Sequence, residues 1–274
     1  MDDLATCLWM IIRRHFPTLI QVVRMSARTY SSSLQSFISS PDGFQIVNKS
    51  TRPINTDKLY VLDSSFNPPT KAHFALALSG LPHDTPSTVL LVLAIQNADK
   101  EAKPASFDHR LAMMDLLAHK IEATSSTTTA LMALSKHARF VDKAKEIEKA
   151  FPSTKELIWL VGYDTLIRIL DKKYYTGSLE QSLQGFLDRN RLACAIRRDE
   201  TEERAFVEKI RAGEIKEVPP LIAEYITIIE PVGKETSSTR ARTASANGRV
   251  DEIRELVLQE IAEYIEREHL YKDT

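Results

Sequence analysis

The sequence predicts an α/β fold, a doubly wound parallel sheet within one large domain, on three observations. Short runs that are apolar on both faces recur from Leu59 onward, helix-like stretches separate them, and several runs end in residues that carry chemistry. A strand apolar on both faces suits a parallel sheet covered by helices on each side, and alternation with helices is the order that builds one. The strand-like runs are LYVLD (59–63), TVLLVLAI (88–95), ELIWLVG (156–162), RLACAIR (191–197) and YITIIE (225–230). Helices are expected over 71–80, 107–120, 140–151, 163–171 and 200–212, with a long charged one from Val250 to about 268. The Ser/Thr-rich segment 121–135 is expected to lead into a further strand at 130–134, whereas 172–190 shows no clear period. There is no internal repeat.

Residues 57–274 are therefore read as a single domain and residues 1–56 as a flexible N-terminal extension. The stretch LWMIIRRHFPTLIQVV (8–23) is apolar but broken by Arg13, Arg14, His15 and Pro17, well short of the ~18 to 20 apolar residues of a membrane span. Its basic and Ser-rich character suits a mitochondrial presequence, but Asp2 and Asp3 argue against one. A formal charge of −1 and a pI near 6.7 supply no global basic field, so a sequence-independent grip on nucleic acid is not expected. The two cysteines, Cys7 and Cys194, lie far apart, which suits a reducing compartment and leaves no Cys-based zinc site. The expected location is cytoplasmic or nuclear, away from membranes, and a homo-oligomer is compatible with everything in the sequence.

In doubly wound sheets, ligands sit beyond the carboxyl ends of the strands. Three strand ends draw attention. The first is VLDSSFNPPTKAHFAL (61–76), where an apolar run stops at Asp63, passes through Ser64, Ser65, Phe66 and a double proline, and restarts as a helix. Thr70 is suited to cap that helix, the prolines stiffen its approach, and His73 projects from its first turn, where the helix dipole favours an anion. The second is KETSSTRAR (234–242), whose Ser237, Ser238 and Thr239 suit a second helix N-terminus while Arg240 and Arg242 add guanidinium groups within the next turn. Hydroxyls, amides and arginines together make a phosphate clamp. The third is LVGYD (160–164), where Gly162 lets a ligand approach the backbone and Asp164 can accept from ribose hydroxyls. Each has a bland counterpart: a surface histidine, a capped helix with solvated arginines, a common Gly-x-Asp turn.

Together the three resemble one family. FNPPTKAH is similar to the (H/T)-x-x-H motif, and SSTRAR to the I-S-S-T-x-x-R motif, of the nucleotidyltransferase superfamily. Over four ordered segments, VLDSSFNPPTKAHFAL, AIQNADKEAKPASFDHRLAMM, WLVGYDTLIRILDKKYY and SSTRAR, the chain resembles the fungal nicotinamide mononucleotide adenylyltransferase-like proteins. The resemblance covers roughly 59–268. Three departures stand out: Thr70 stands where many bacterial relatives have the first histidine, although the eukaryotic nicotinamide mononucleotide adenylyltransferases also resemble T-x-x-H. Ser64 replaces a glycine common in relatives and crowds the nucleotide slightly, and Thr236 replaces an isoleucine, read as a packing change.

The resemblance implies a Rossmann-like doubly wound sheet of the nucleotidyltransferase type and a transfer of the adenylyl group of ATP to nicotinamide mononucleotide, with Mg2+ accompanying ATP. Nicotinic acid mononucleotide is an alternative acceptor. His73 and Arg242 would be catalytic. Ser65, Phe66, Thr70, His73, Lys100, Gly162, Asp164, Ser238, Thr239, Arg240 and Arg242 would bind ATP, and Asn97 and Arg110 the acceptor. No protein metal site is implied. Two rivals stay open at this stage: another nucleotidyltransferase such as a cytidylyltransferase, and a non-catalytic nucleotide-binding stress or partner protein. A dehydrogenase would carry Gly-x-Gly-x-x-Gly after the first strand, and DSSFNPPT is nothing of the kind.

Overall fold

The computed structural model describes residues 27–48, 50, 52–55, 57–82, 85–95, 104–196, 201–230 and 236–272. It begins with helix α1 (Ala27–Ser39) and strand β1 (Phe44–Ile46), followed by β2 (Lys58–Asp63), α2 (Lys71–Ser79), β3 (Ser87–Ala94), α3 (Phe107–Thr124) and β4 (Thr128–Ser135). The chain continues through α4 (Phe140–Ala150), β5 (Glu156–Gly162), α5 (Tyr163–Ile169), α6 (Leu179–Leu187), β6 (Asn190–Ala195), α7 (Thr201–Arg211) and β7 (Ile226–Ile229). It closes with α8 (Ser238–Ala246), α9 (Val250–Leu256) and α10 (Gln259–Arg267).

Among the described residues, seven strands form one sheet in the order β1-β4-β3-β2-β5-β6-β7. All neighbours are parallel except the edge pair β1 and β4. The predicted doubly wound α/β fold is therefore observed. Every residue of β4 is buried, as are the first seven of β3, because helices cover both faces. One core layer joins Leu62, Leu91 and Met132 to α1, α3 and α8–α10. The opposite layer joins Val61, Leu90 and Trp159 to α4–α7. Trp159 is fully buried, edge-on to Phe140, and its Nε1–H donates to Asn190 Oδ1 at 2.7 Å, so it is a core residue.

Three expectations need correction. The boundary at 56/57 is not the edge of the folded unit, because Tyr30, Leu34 and Phe37 of α1 enter the first core layer and β1 pairs with β4 from Phe44↔Ser135 to Ile46↔Ala133. A Ser-rich helix and a three-residue strand carry too little apolar pattern to be read from sequence. The single helix expected from 250 breaks into α9 and α10 at Val257, which is extended at φ −120° and ψ 168°. Leu256, Val257 and Leu258 are consecutive and all buried, and three consecutive helical residues span too wide an arc for one apolar stripe. Finally, the unreadable segment 172–190 contains α6, whose Ser178 caps it by accepting from the Gln181 N–H at 3.2 Å. Among the described residues no helix is long and apolar enough to cross a membrane.

Candidate active site

The strand order reverses between β2 and β5, which pair in register from Lys58↔Glu156 to Val61↔Trp159. A crevice outside the carboxyl ends of these two strands is where such a sheet offers a ligand site. The residues that follow β2 are the loop 64–70, and β5 ends in Gly162.

The loop is held by its own side chains. Thr70 is the N-cap of α2, and His73 at the third helical position reaches back to it in a capping box. The Thr70 N–H donates to His73 Nδ1 at 3.0 Å, with Thr70 Oγ1 2.9 Å from the same nitrogen. A backbone N–H can only donate, so Nδ1 is the acceptor and the ring hydrogen sits on Nε2, 2.9 Å from Ser64 Oγ. Burial pushes the imidazole down to about 4, which keeps it neutral at physiological pH. The Phe66 ring is fully buried and packs 5.4 Å from the His73 ring, with its backbone in the left-handed region at φ 45°. Ser65, next to it, is exposed.

The second predicted segment meets the same loop. Ser238 Oγ donates to Pro68 O at 2.8 Å, and Arg242 Nη1 donates to Asn67 O at 2.9 Å. Arg242 Nη2 also donates to Thr239 Oγ1 at 3.0 Å. Thr236 Oγ1 accepts from the Ala72 N–H at 2.9 Å and so caps α2 from outside. Its role is thus more than the packing change read from sequence. Ser237 caps α8 by accepting from the Arg240 N–H at 3.4 Å. The positive ends of α2 and α8 are in this way brought to one loop, with His73 and Arg242 anchored on either side of it.

Arg110 arrives from the first turn of α3. It is buried, its Nε donates to Ala105 O at 3.0 Å, and its guanidinium lies 5.0 Å from the centre of the Phe107 ring. Burial pushes its pKa below the ordinary value; Tyr271 opposes that shift and the charge of Arg242 adds to it. The buried Arg110 guanidinium thus feels the half-buried Arg242 charge, which concentrates positive potential on this side of the loop.

Gly162 caps α5, and a Cβ built on it meets nothing within 4 Å, so this position opens onto space. Asp164 sits exposed in the first turn of α5. Arg240 does not join the cluster: its Nε donates to Glu252 Oε1 at 2.7 Å across to α9. Lys100 and Asn97 lie outside the described residues. Sequence reasoning missed Asn67 and Tyr271, whose hydroxyl donates to Asn67 Oδ1 at 3.0 Å, and the ion pair of Lys143 with Asp63 at 2.6 Å beneath the loop. A lysine four residues into an amphipathic helix and a tyrosine near the end of the chain carry no local signal. No cluster of three or more metal-ligating side chains is found among the described residues.

Comparison with known proteins agrees with this arrangement. A Schizosaccharomyces pombe protein provisionally named a nicotinamide mononucleotide adenylyltransferase is 37% identical over 247 residues, 87% of this chain and 95% of its own. Two structures of the Plasmodium falciparum nicotinic acid mononucleotide adenylyltransferase, one complexed with NaAD and one with APC, superimpose with a TM-score of 0.54. Each is 16% identical and covers 80% of this chain and 98% of theirs, a likeness of fold. The family model described as cytidylyltransferase-like matches residues 61–261, which takes in the end of β2, the loop, β5 and α8, and the chain belongs to that family of the nucleotidyltransferase superfamily.

Proposed function

We propose that the protein transfers the adenylyl group of ATP to nicotinamide mononucleotide, giving NAD and pyrophosphate. The observation that carries this reading is the loop 64–70 at the topological switch point, which anchors His73 and Arg242 at two helix N-termini. The naming of the S. pombe relative supports the choice of acceptor.

In the reaction a 5′-phosphate oxygen of the mononucleotide attacks the α-phosphorus of ATP. The new P–O bond forms as the bond from the α-phosphorus to the bridging oxygen breaks, and pyrophosphate leaves with that electron pair. The attacking phosphate is already ionised at neutral pH, so no protein base is needed, and catalysis comes from alignment and charge stabilisation. His73, neutral with its hydrogen on Nε2, donates to a phosphate oxygen once the ligand displaces Ser64 from that hydrogen. Arg242 supplies positive charge from the other side of the loop, with Ser238 and Thr239 at the start of α8. Ser65, Phe66 and Thr70 shape the loop, Gly162 leaves room for the nucleoside, and Asp164 accepts from the ribose. Arg110 contributes a buried positive charge toward the mononucleotide phosphate. Mg2+ would accompany ATP as the MgATP substrate and would offset phosphate charge, and no side chain is assigned to hold it.

The test is product formation by the purified chain with MgATP and nicotinamide mononucleotide, separated by chromatography. Nicotinic acid mononucleotide and MgCTP are run alongside. Dinucleotide and pyrophosphate from ATP are expected, with a loss on the order of 10² to 10³ in His73→Ala. Transfer from CTP alone, or no dinucleotide with either acceptor, overturns the reading.

A further inference from the structure

The turn that follows α10 reaches the candidate active site. His269 at φ 52° and Tyr271 at φ 67° are both in the left-handed region that side chains other than glycine rarely adopt. Two bonds fix the turn between them: the Leu270 N–H donates to Ile265 O at 3.1 Å, and Leu270 O accepts from Ser245 Oγ at 2.8 Å. Ser245 lies on α8 three residues beyond Arg242, so the turn is fastened to the helix that carries the arginine. Tyr271 is then 3% exposed, and its hydroxyl donates to Asn67 Oδ1 at 3.0 Å. Asn67 is itself buried, and its carbonyl oxygen is the acceptor for Arg242 Nη1 at 2.9 Å. Burial pushes the phenol up, with the charges of Arg110 and Arg242 pulling the other way, so it stays a hydrogen-bond donor.

We infer that Tyr271 is a positioning residue for polyphosphate binding: it fixes Asn67, and through the Asn67 carbonyl it fixes the guanidinium of Arg242 against the loop 64–70. A single residue, Asn67, is gripped by its side chain from the turn and by its backbone from α8. Freeing the side chain lets the carbonyl swing and costs Arg242 its orientation. The part of the ligand that feels this is the phosphate chain. The adenosine moiety, on the Gly162 side, does not.

The inference rests on the proposed nucleotide site, and the experiment separates the two. Tyr271→Phe removes only the hydroxyl and leaves the ring in the core. ATP and adenosine affinities are measured by calorimetry for wild type and variant, with thermal unfolding of both. The expected result is ATP affinity weakened about 5- to 10-fold, in line with losing the hydroxyl's hydrogen bond to Asn67 Oδ1, and adenosine affinity within about twofold. In an Arg242→Ala background the added Tyr271→Phe is expected to change ATP affinity by less than about twofold, because the residues act as one unit. Equal weakening of ATP and adenosine would show a purely structural role, and losses that add to those of Arg242→Ala would show that Tyr271 does not act through it. Either overturns the inference, as does unchanged ATP affinity. A wild type that binds ATP but makes no dinucleotide removes the proposed reaction and leaves this measurement standing. One that binds no ATP removes both.

Discussion

Ser64 Oγ and His73 Nε2 lie 2.9 Å apart, and because Nδ1 is committed to the Thr70 N–H, Ser64 is the acceptor for the one hydrogen His73 has to give. A phosphate must compete with it. Ser64→Ala removes the competitor without touching the Thr70 contact. The expected outcome is tighter ATP binding by roughly 2- to 5-fold, the net worth of one neutral hydrogen bond, measured by calorimetry. Weaker binding would mean that the serine contacts the nucleotide itself.

Arg240 and Arg242 stand two residues apart in the same motif and face different partners. Arg240 is paired with Glu252, side chains 58% and 19% exposed, whereas Arg242 reaches the loop 64–70. A surface pair of this kind contributes about 0 to 1 kcal/mol. Arg240→Ala is therefore expected to keep turnover within about threefold, while Arg242→Ala loses on the order of 10² to 10³. Steady-state rates on the two variants, each checked for folding by circular dichroism, decide the matter. Equal losses would return Arg240 to the site.

How far the sequence foretold this site depends on the reach of each contact. The capping box is legible because Thr70 and His73 are three residues apart and obey helix geometry. β3 was legible because it is apolar on both faces, whereas the Ser/Thr-rich approach to β4 left only its centre, 130–134, readable. The fastening of Asn67 to Arg242 and Tyr271 spans 175 and 204 residues of chain, and no local pattern announces such a meeting. The pairing of Arg240 with Glu252 was hidden for the related reason that its partner lies on the next helix. α1 was lost because only Tyr30, Leu34 and Phe37 face inward along a run otherwise rich in serine.

Gly162 offers stability and function in opposition. A Cβ there meets nothing within 4 Å, and the backbone at φ −81° and ψ 164° is open to any residue. Gly162→Ala should leave the fold intact or stabilise it by about 0.4 to 1 kcal/mol through the unfolded state. Gly162→Val should also fold and should raise KM for ATP at least tenfold, because the branched side chain enters the space read as the nucleoside's. Thermal unfolding and KM measured together test it. An unchanged KM in the valine variant would move the nucleoside elsewhere.

Lys143 and Asp63 form an ion pair of 2.6 Å with side chains 3% and 11% exposed, directly under the start of the loop, and Asp63 Oδ1 has no hydrogen-bond partner among the described residues. Burial raises the Asp63 carboxyl, and Lys143 pulls it back down. Removing the cation alone strands a buried carboxylate, so Lys143→Met is expected to cost about 3 to 5 kcal/mol at neutral pH. The double variant Lys143→Met with Asp63→Asn should recover part of that loss, since the charge that needed a partner is gone. Urea unfolding of both variants measures it, and a double variant no more stable than the single one would rule the account out.

His73 makes the fold sensitive to acid in a definite window. Its folded value is about 4 against an ordinary value of 6.5, so the native state excludes a proton that the unfolded chain accepts. Above pH 6.5 both states are neutral at this group and its contribution to stability is complete. As pH falls from 6.5 toward 4 the unfolded state gains the proton first, and stability drops by at most about 1.4 kcal/mol per pH unit for the one proton involved. Below about 4 both states are protonated there and this part of the dependence ends. The carboxylates titrate in the same region, so the comparison must be with a variant that keeps the contacts but not the titration. His73→Gln has an amide that can accept from the Thr70 N–H and donate to Ser64. Its unfolding free energy should fall less steeply than the wild type's between pH 6.5 and 4, while the two run parallel between pH 7 and 8. Coincident slopes across the acid range would mean that the imidazole takes up its proton in the folded protein, and that the neutral donor assigned to it in phosphate binding is wrong.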